Sequence, residues 1–345
     1  KYHNSVRKRF LSIMAFLIND LLIPEAFPEK TKEVSLVQTH ISWVLLTDDF
    51  AYKIKKSVNL GFLDFSTLLK RKYYCDQEIN LNKRLSRDIY IGVLPVFFDG
   101  RRHKIGEGSG DVVEYTVKMK RIPDSSLMLS MFETGRLQQE HLRRLAALLA
   151  AFHSTAQRSV DIDNFGTPDA FKINTDENFF QTESYIGRTI KREEFESIKD
   201  WTNNFYMENR KLFFDRISGC KIRDCHGDLH MEHICLTDPV SVFDCIEFNE
   251  RFRYTDILAD IAFILMDLEY RGGKGFARIL WDYYNELTGD DNPDSLLTFY
   301  KVYRAYVRGK VNSFRIDDGQ MSSEEKEEAI HIARKYFQLA LNYVL

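Results

Sequence analysis

The spacing of apolar positions changes near residue 121. Before it, residues 34–38 (VSLVQ), 43–46 (WVLL) and 50–56 (FAYKIKK) are short β-branched and aromatic runs parted by polar turns, the pattern of a small antiparallel sheet. Ser66 is placed to cap a long helix reaching about Leu85, and strand-like runs at 91–98 and 112–120 complete a strand-rich first third. After it, helical periodicity dominates, as in Leu142, Leu145, Leu148 and Phe152, broken only by a β stretch at 234–246. Phe10, Met14, Leu17 and Leu21 share one helical face, which predicts an amphipathic helix at the start. The basic residues 1–9 ahead of it mimic a signal peptide, but Asn19 and Asp20 interrupt the apolar run, which is too short to span a membrane. The expected fold class is α+β: a small β-rich lobe over 1–120 and a large helical lobe over 121–345.

Composition narrows the class. The 345 residues are 44% hydrophobic and 29% charged, with 7 Pro and 17 Gly, which excludes collagen-like or Pro/Gly-rich disordered chains. A net charge of −3 offers no basic field for nucleic acid, and no membrane role is expected either. The five cysteines, Cys75, Cys220, Cys225, Cys235 and Cys245, include no CxxC pair, so free thiols in a reducing cytoplasm are expected. A first residue that is Lys1 and not Met is what a piece of a longer or processed chain would show.

The chemistry concentrates in His226-Gly227-Asp228-Leu229-His230-Met231-Glu232-His233, where three His and two carboxylates fall within eight residues. His230 to His233 reads HxEH, one residue short of the inverzincin spacing that puts two ligands on one helical face. A metallophosphoesterase would need further Asp/His/Asn elements such as DxH or GNH, which the chain does not contain. Downstream, 234–236 and 240–244 flank Thr237-Asp238-Pro239 and predict a hairpin that folds Glu247 back toward Asp228 and His233. A loop Asp able to take a proton, with further groups converging on a divalent cation, is what phosphoryl transfer needs.

A phosphate-binding cation is expected at Lys53 in Phe50-Ala51-Tyr52-Lys53. Alternation puts Ala51 and Lys53 on one face, the small Ala51 leaving room for an adenine ring. Lys55 and Lys56 are expected to be solvated edge charges. On the following helix Tyr74, Glu78, Leu81 and Leu85 form a stripe; Glu78 on it is the natural partner of Lys53, the alternative being a solvated pair with Lys70 or Lys83. No GxxxxGK[ST] occurs, which excludes a Walker-type ATPase in this chain, and Gly106–Gly110 reads as a hairpin turn. The turn Thr39-His40-Ile41-Ser42 is expected to cover phosphate with backbone amides and the Ser42 hydroxyl.

These pieces resemble, over nearly the whole chain, the aminoglycoside phosphotransferase superfamily, whose bilobal fold is like that of protein kinases. Residues 38–56, 226–234, 243–249 and 303–311 look particularly like a bacterial branch often fused to a P-loop ATP-binding domain, which is absent from this sequence. The resemblance implies an ATP-dependent phosphotransferase acting on a hydroxyl of a small-molecule acceptor, with ATP and Mg²⁺ (or Mn²⁺) as cofactors. It implies that Asp228 is the catalytic Asp, Lys53 the phosphate-binding Lys, Glu78 its helix partner and Asp260 the buttress of the loop that His226 opens. Residues 117–121 would be the interlobe hinge that reads adenine. Two positions depart from the family pattern: His233 stands in place of the usual Asn, and Glu247 in place of the usual metal-binding Asp, with Asp244 a second candidate. Imidazole suits softer ions than Mg²⁺, so the second reading is a nucleotide-binding regulatory pseudokinase with little transfer activity. His153 is expected to cap or pack, Arg304, Arg308 and Arg315 to form a solvated or ion-paired face, and Asp290, Asp291 and Asp294 to be solvated loop charges.

Overall fold

Six strands of the computed structural model, which describes residues 16–291, 294–319 and 321–345, account for the β-rich first third. They are β1 (Ser35–Gln38), β2 (Ser42–Leu46), β3 (Phe50–Lys55), β4 (Tyr90–Phe98), β5 (His103–Ile105) and β6 (Asp111–Lys120). They pair antiparallel throughout, in the order β1-β2-β3-β6-β4-β5. Period-two alternation sorts β3: Tyr52 and Ile54 are buried in a cluster with Leu17, Leu21, Leu45 and Val96, while Ala51, Lys53 and Lys55 point to the other face. Residues 16–20 are helical and Leu17 and Leu21 are buried; Phe10 and Met14 of the expected first helix lie outside the described residues.

Three local expectations are corrected. The long helix spans Leu68–Asn82 and its cap is Thr67, whose side chain accepts from Lys70 N, while the Ser66 amide just outside it donates to Asp64 Oδ1. β5 was not legible, and it changes the meaning of the Gly106–Gly110 loop. Since β4 lies between β5 and β6, that loop carries the chain across β4 instead of closing a hairpin. Gly110 has φ +115°, and a Cβ there would sit 2.1 Å from Phe98 O, so only glycine fits. The expected hinge at 117–121 is mostly strand: 117–120 are in ladder register with β3, Val117–Met119 with β4 as well, and Arg121 N donates to Asp49 O, so those backbone groups are committed within the sheet.

The chain divides into two compact units, the residues up to Ser126 with Ser241–Asn249, and Leu127–Val240 with Glu250–Leu345. A single cut between 120 and 121 with the 234–246 stretch kept in the helical part therefore differs from the structure, which assigns Ser241–Asn249 to the unit that holds the sheet. The expected hairpin is reduced to two two-residue strands, Ile234–Cys235 and Ser241–Val242.

The second unit is helical. Helix Ile257–Tyr270 is buried at every residue from Ile257 to Leu268, and the two carboxylates in that span, Asp260 and Asp267, are hydrogen-bonded. Around it pack helices Asp294–Arg315 and Ser323–Val344, whose Val302, Tyr306, Tyr336 and Phe337 share a cluster with Phe263 and Met266. Asp290 is not solvated: it is buried and accepts two hydrogen bonds from Arg216 Nη1 at 2.8 Å, while Asp256 takes the other edge of the same guanidinium. No helix among the described residues is long and apolar enough to cross a membrane, and none of the five cysteines forms a disulfide.

Candidate active site

In the first unit a strand, a helix and the returning segment Ser241–Asn249 meet around two lysines. The outward parity of β3 aims Lys53 and Lys55 at helix Leu68–Asn82, where Glu78 is fully buried. Glu78 serves both: Oε1 is 2.9 Å from Lys53 Nζ and Oε2 2.6 Å from Lys55 Nζ. Lys53 also meets Asp244 at 2.5 Å, and Lys55 meets Glu247. Lys55 is thus no edge charge. Its side chain is 1% exposed, against 12% for Lys53 and 39% for Asp244, which ranks the groups by their access to a ligand.

The returning segment is fixed by named bonds. Asn82 Oδ1 accepts from Cys245 N (2.9 Å), Ser86 Oγ donates to Val242 O (2.7 Å), and the Tyr90 hydroxyl accepts from Asp244 N (3.1 Å). Asp244 itself sits at φ +61°, a left-handed conformation that a non-glycine residue adopts only when its surroundings enforce it. Burial disfavours the Lys53 ammonium, but Asp244, Glu78 and Glu247 outweigh that and hold its pKa well above the ordinary value. Burial likewise pushes Glu78 upward, and Lys53 and Lys55 bring it below its ordinary value. Burial, reinforced by Glu78, leaves Glu247 raised despite Lys55. Two ammonium groups face three carboxylates, so the cluster carries an excess negative charge that a cation would neutralise.

The Thr39–Ser42 turn departs from its expected role. Thr39 Oγ1 already accepts from the amides of Ile41 (3.4 Å) and Ser42 (3.0 Å), so those amides are spent inside the turn. The Ser42 hydroxyl, by contrast, is buried without a hydrogen-bond partner. Ala51 is buried on β3, two residues from Lys53.

In the second unit the loop around Asp228 is held from below. Asp260, fully buried, accepts from His226 N and Gly227 N at 2.9 Å each. Gly227 takes φ +86°, which lets both amides reach one carboxylate. His153 Nε2 lies 3.2 Å from the same carboxylate and its Nδ1 2.7 Å from the Tyr284 hydroxyl. Arg304 is buried and donates to Gly227 O (2.8 Å) and Ala259 O (3.0 Å), a loop support and not part of a solvated face. Met231 N donates to Asp267 Oδ2 at 3.0 Å, and Asp228 N to His226 Nδ1 at 3.2 Å.

At the head of this loop Asp228 is 34% exposed, with His230 Nε2 and His233 Nδ1 each 3.5 Å from its Oδ2. Burial opposes ionisation of Asp228, but His230, His233 and Arg308 hold its carboxyl far below the ordinary range; His153, His226 and Arg304 do the same for buried Asp260. An anionic Asp228 can accept a hydrogen bond from a hydroxyl and orient it. Four residues bearing on the two sites were not singled out as part of them: Lys55, His153, Arg304 and His230. For Lys55 the signal was present, since it shares the parity of Ala51 and Lys53.

The family model described as the phosphotransferase enzyme family, APH, matches residues 75–296. That span includes Glu78, Asp228, His233, Asp244, Glu247 and Asp260 and begins after Ser42, Ala51 and Lys53. An uncharacterized protein of Mycobacterium tuberculosis (strain ATCC 25618 / H37Rv) is 33% identical over 288 residues, which is 83% of this chain and 56% of that protein. A Mycobacterium bovis protein gives the same figures, so the chain spans about half the length of the curated relatives it matches. Among solved structures, an amicoumacin kinase in complex with AMP-PNP and Ca²⁺ is similar in fold, with TM-score 0.57 and 13% identity over 97% of this chain and 96% of that one. A choline/ethanolamine kinase family protein from Mesorhizobium loti has TM-score 0.50 and 12% identity over 91% and 92%.

Proposed function

The chain belongs to the APH phosphotransferase enzyme family, and from that premise we propose that it transfers the γ-phosphoryl group of ATP to a hydroxyl of a small-molecule acceptor. The observation that carries the reading is the Lys53–Glu78 pair at 2.9 Å beside half-exposed Asp244. Lys53 is the cation for the nucleotide phosphates, because Lys55 is enclosed by Glu78, Glu247 and the Phe65 ring. Ala51 and the unpartnered Ser42 hydroxyl line the same reading, as the small residue beside the base and a donor for phosphate oxygen.

The residues fit a hard divalent cation, because three carboxylates face two ammonium groups. Asp244 is the one we assign to it, being more exposed than Glu247, 39% against 4%. Mg²⁺ or Mn²⁺, when bound, supplies charge neutralisation on the phosphates. Asp228 accepts the acceptor's hydroxyl hydrogen bond and aligns its oxygen, while Asp260 and Arg304 keep the loop backbone from shifting. His233, at the family's Asn position, is a poor ligand for Mg²⁺.

A second reading, a nucleotide-binding regulator with little transfer activity, is favoured by the two imidazoles that crowd Asp228. Thermal unfolding with ATP, with and without Mg²⁺, tests the nucleotide site. A ligand at 100 times its Kd stabilises by about 2.7 kcal/mol. The wild type is expected to gain several degrees with Mg²⁺-ATP and Lys53→Met to gain none. An equal gain in Lys53→Met would remove Lys53 from the nucleotide site, and metal-independent binding would favour the regulator.

A further inference from the structure

We propose that Asp228, His230 and His233 form a site for a borderline-soft divalent metal such as Zn²⁺, and that filling it silences the phosphotransferase by occupying Asp228. The site stands on geometry alone; the silencing rests on the function proposed above.

One ligand atom from each of the three residues lies within 4.8 Å of the others. The two His–Asp228 separations, 3.5 Å each, are too long for good hydrogen bonds. They are close to the edge of a ligand tetrahedron around zinc, about 3.3–3.4 Å for metal–nitrogen bonds of about 2.0–2.1 Å. The His230 and His233 ring centroids are 3.9 Å apart with planes at 39°, so the two rings pack against each other beside Asp228 Oδ2. Small rotations would bring three donors to one point.

The backbone keeps them there. His233 N donates to His230 O at 3.0 Å, and Met231 N to Asp267 Oδ2 at 3.0 Å, which locks the single turn Met231–His233 that sets the spacing of the two rings. His230 is 3% exposed and His233 14%, against 34% for Asp228, so the cluster is closed on its histidine side and open at the carboxylate, where an ion and a fourth ligand can enter. Glu232 Oε2 lies 3.9 Å from His230 Nδ1, the ring nitrogen that would not bind metal, and makes no direct hydrogen bond to it at that distance.

His233 Nδ1 also lies 2.9 Å from Asp228 O. In the metal-free loop Nδ1–H donates there; on binding, the ion replaces that proton and the neutral ring carries it on Nε2 instead, with no net proton released. The Arg308 and Arg271 guanidinium groups do not bar a cation, because Asp228, Glu232 and Asp267 outnumber them. Two imidazoles and one carboxylate suit Zn²⁺, Co²⁺ or Ni²⁺ and not Mg²⁺, so this loop and an oxygen-ligated Mg²⁺ select different ions.

The probe is Co²⁺, titrated into the metal-free full chain and followed by visible absorption. The wild type is expected to develop the intense bands of four-coordinate Co²⁺ at one equivalent. His230→Gln and, as the milder change, His233→Asn are each expected to lose them and bind at least about tenfold more weakly, with circular dichroism confirming that both variants fold. Zn²⁺ is then expected to inhibit Mg²⁺-dependent transfer in the wild type, with the ratio of inhibited to uninhibited rate restored toward one in His230→Gln. Absence of bands in the wild type, or undiminished bands in both variants, overturns the site. A near-ultraviolet thiolate–Co²⁺ band also overturns it, by assigning the ion to His153, Cys225 and Asp260. Bands without inhibition overturn the silencing alone. A wild type without transfer activity counts against the functional reading and leaves the Co²⁺ titration to decide the site.

Discussion

Lys53 and Lys55 are two residues apart, share one strand face and divide one carboxylate, yet their burial gives them different work. Replacing Lys55 with Met would strand Glu78 and Glu247 in a site where Lys55 is 1% exposed. Breaking a buried pair in this way costs about 3–5 kcal/mol. Urea unfolding should therefore show a large loss for Lys55→Met and a smaller one for Lys53→Met, for which the proposed function predicts the main defect in nucleotide binding. Equal losses would contradict the division. Parity in the sequence was enough to place Lys53 beside Glu78 and would have placed Lys55 there too. What misled was a run of three basic residues, which on an edge strand is ordinarily solvated, whereas β3 lies between β2 and β6.

Lys310 offers a pH-dependent counterpart in the second unit. Burial pushes its ammonium from 10.5 down to about 8, and its hydrogen-bond partners are the neutral Asn178 and Gln181. A group whose folded pKa is depressed in this way is protonated in both states only well below pH 8. Between about pH 8 and 10.5 the unfolded chain holds a proton the folded chain has released, so this group's contribution to stability rises with pH. The expected outcome is that the wild type gains on Lys310→Met by roughly 1–3 kcal/mol between pH 7.5 and pH 10, read as the difference of their urea unfolding free energies. A constant difference would place the Lys310 titration outside this window.

At the scale of elements, the strands at 35–38, 42–46, 50–55 and 111–120 and the helix ending near Asn82 were legible because period and turn chemistry are local. β5 was not, for three residues carry too little pattern to outweigh their polar neighbours. Residues 117–120 fall in β6 for a related reason: nothing local distinguishes the last residues of a central strand from the connection that follows. Helix contacts are equally invisible in sequence. Gly309 in helix Asp294–Arg315 sits where a Cβ would lie 2.7 Å from the Phe337 ring of helix Ser323–Val344. Gly309→Ala should force that ring aside and cost about 1–3 kcal/mol, seen as a lower Tm; an unchanged or raised Tm would show that Phe337 yields without strain.

On the scale of the whole chain, the sequence carried the α+β class and the family resemblance, because β-rich and helical stretches are segregated and the 226–249 motifs are dense. It did not carry the path of Ser241–Asn249, which leaves the helical part of the chain to be bonded by Asn82, Ser86 and Tyr90. Those are pairings between residues more than 150 positions apart, set by tertiary packing and not by local pattern. The same packing sets carboxylate exposure: Glu247 is buried against Lys55, and Asp244, beside Lys53, is half-exposed.

The central claim is phosphoryl transfer aligned by Asp228. The measurement that tests it most directly is transfer from ATP with Mg²⁺ or Mn²⁺ in a pool of hydroxylated metabolites and aminoglycosides, scored by product mass, for the wild type and Asp228→Asn. The account predicts an acceptor that gains one phosphoryl group with the wild type, and a rate lower by a factor of about 10²–10⁴ with the variant, while the variant still binds nucleotide. An Asp228→Asn variant that turns over like the wild type, or a wild type that binds ATP and phosphorylates nothing, would contradict it.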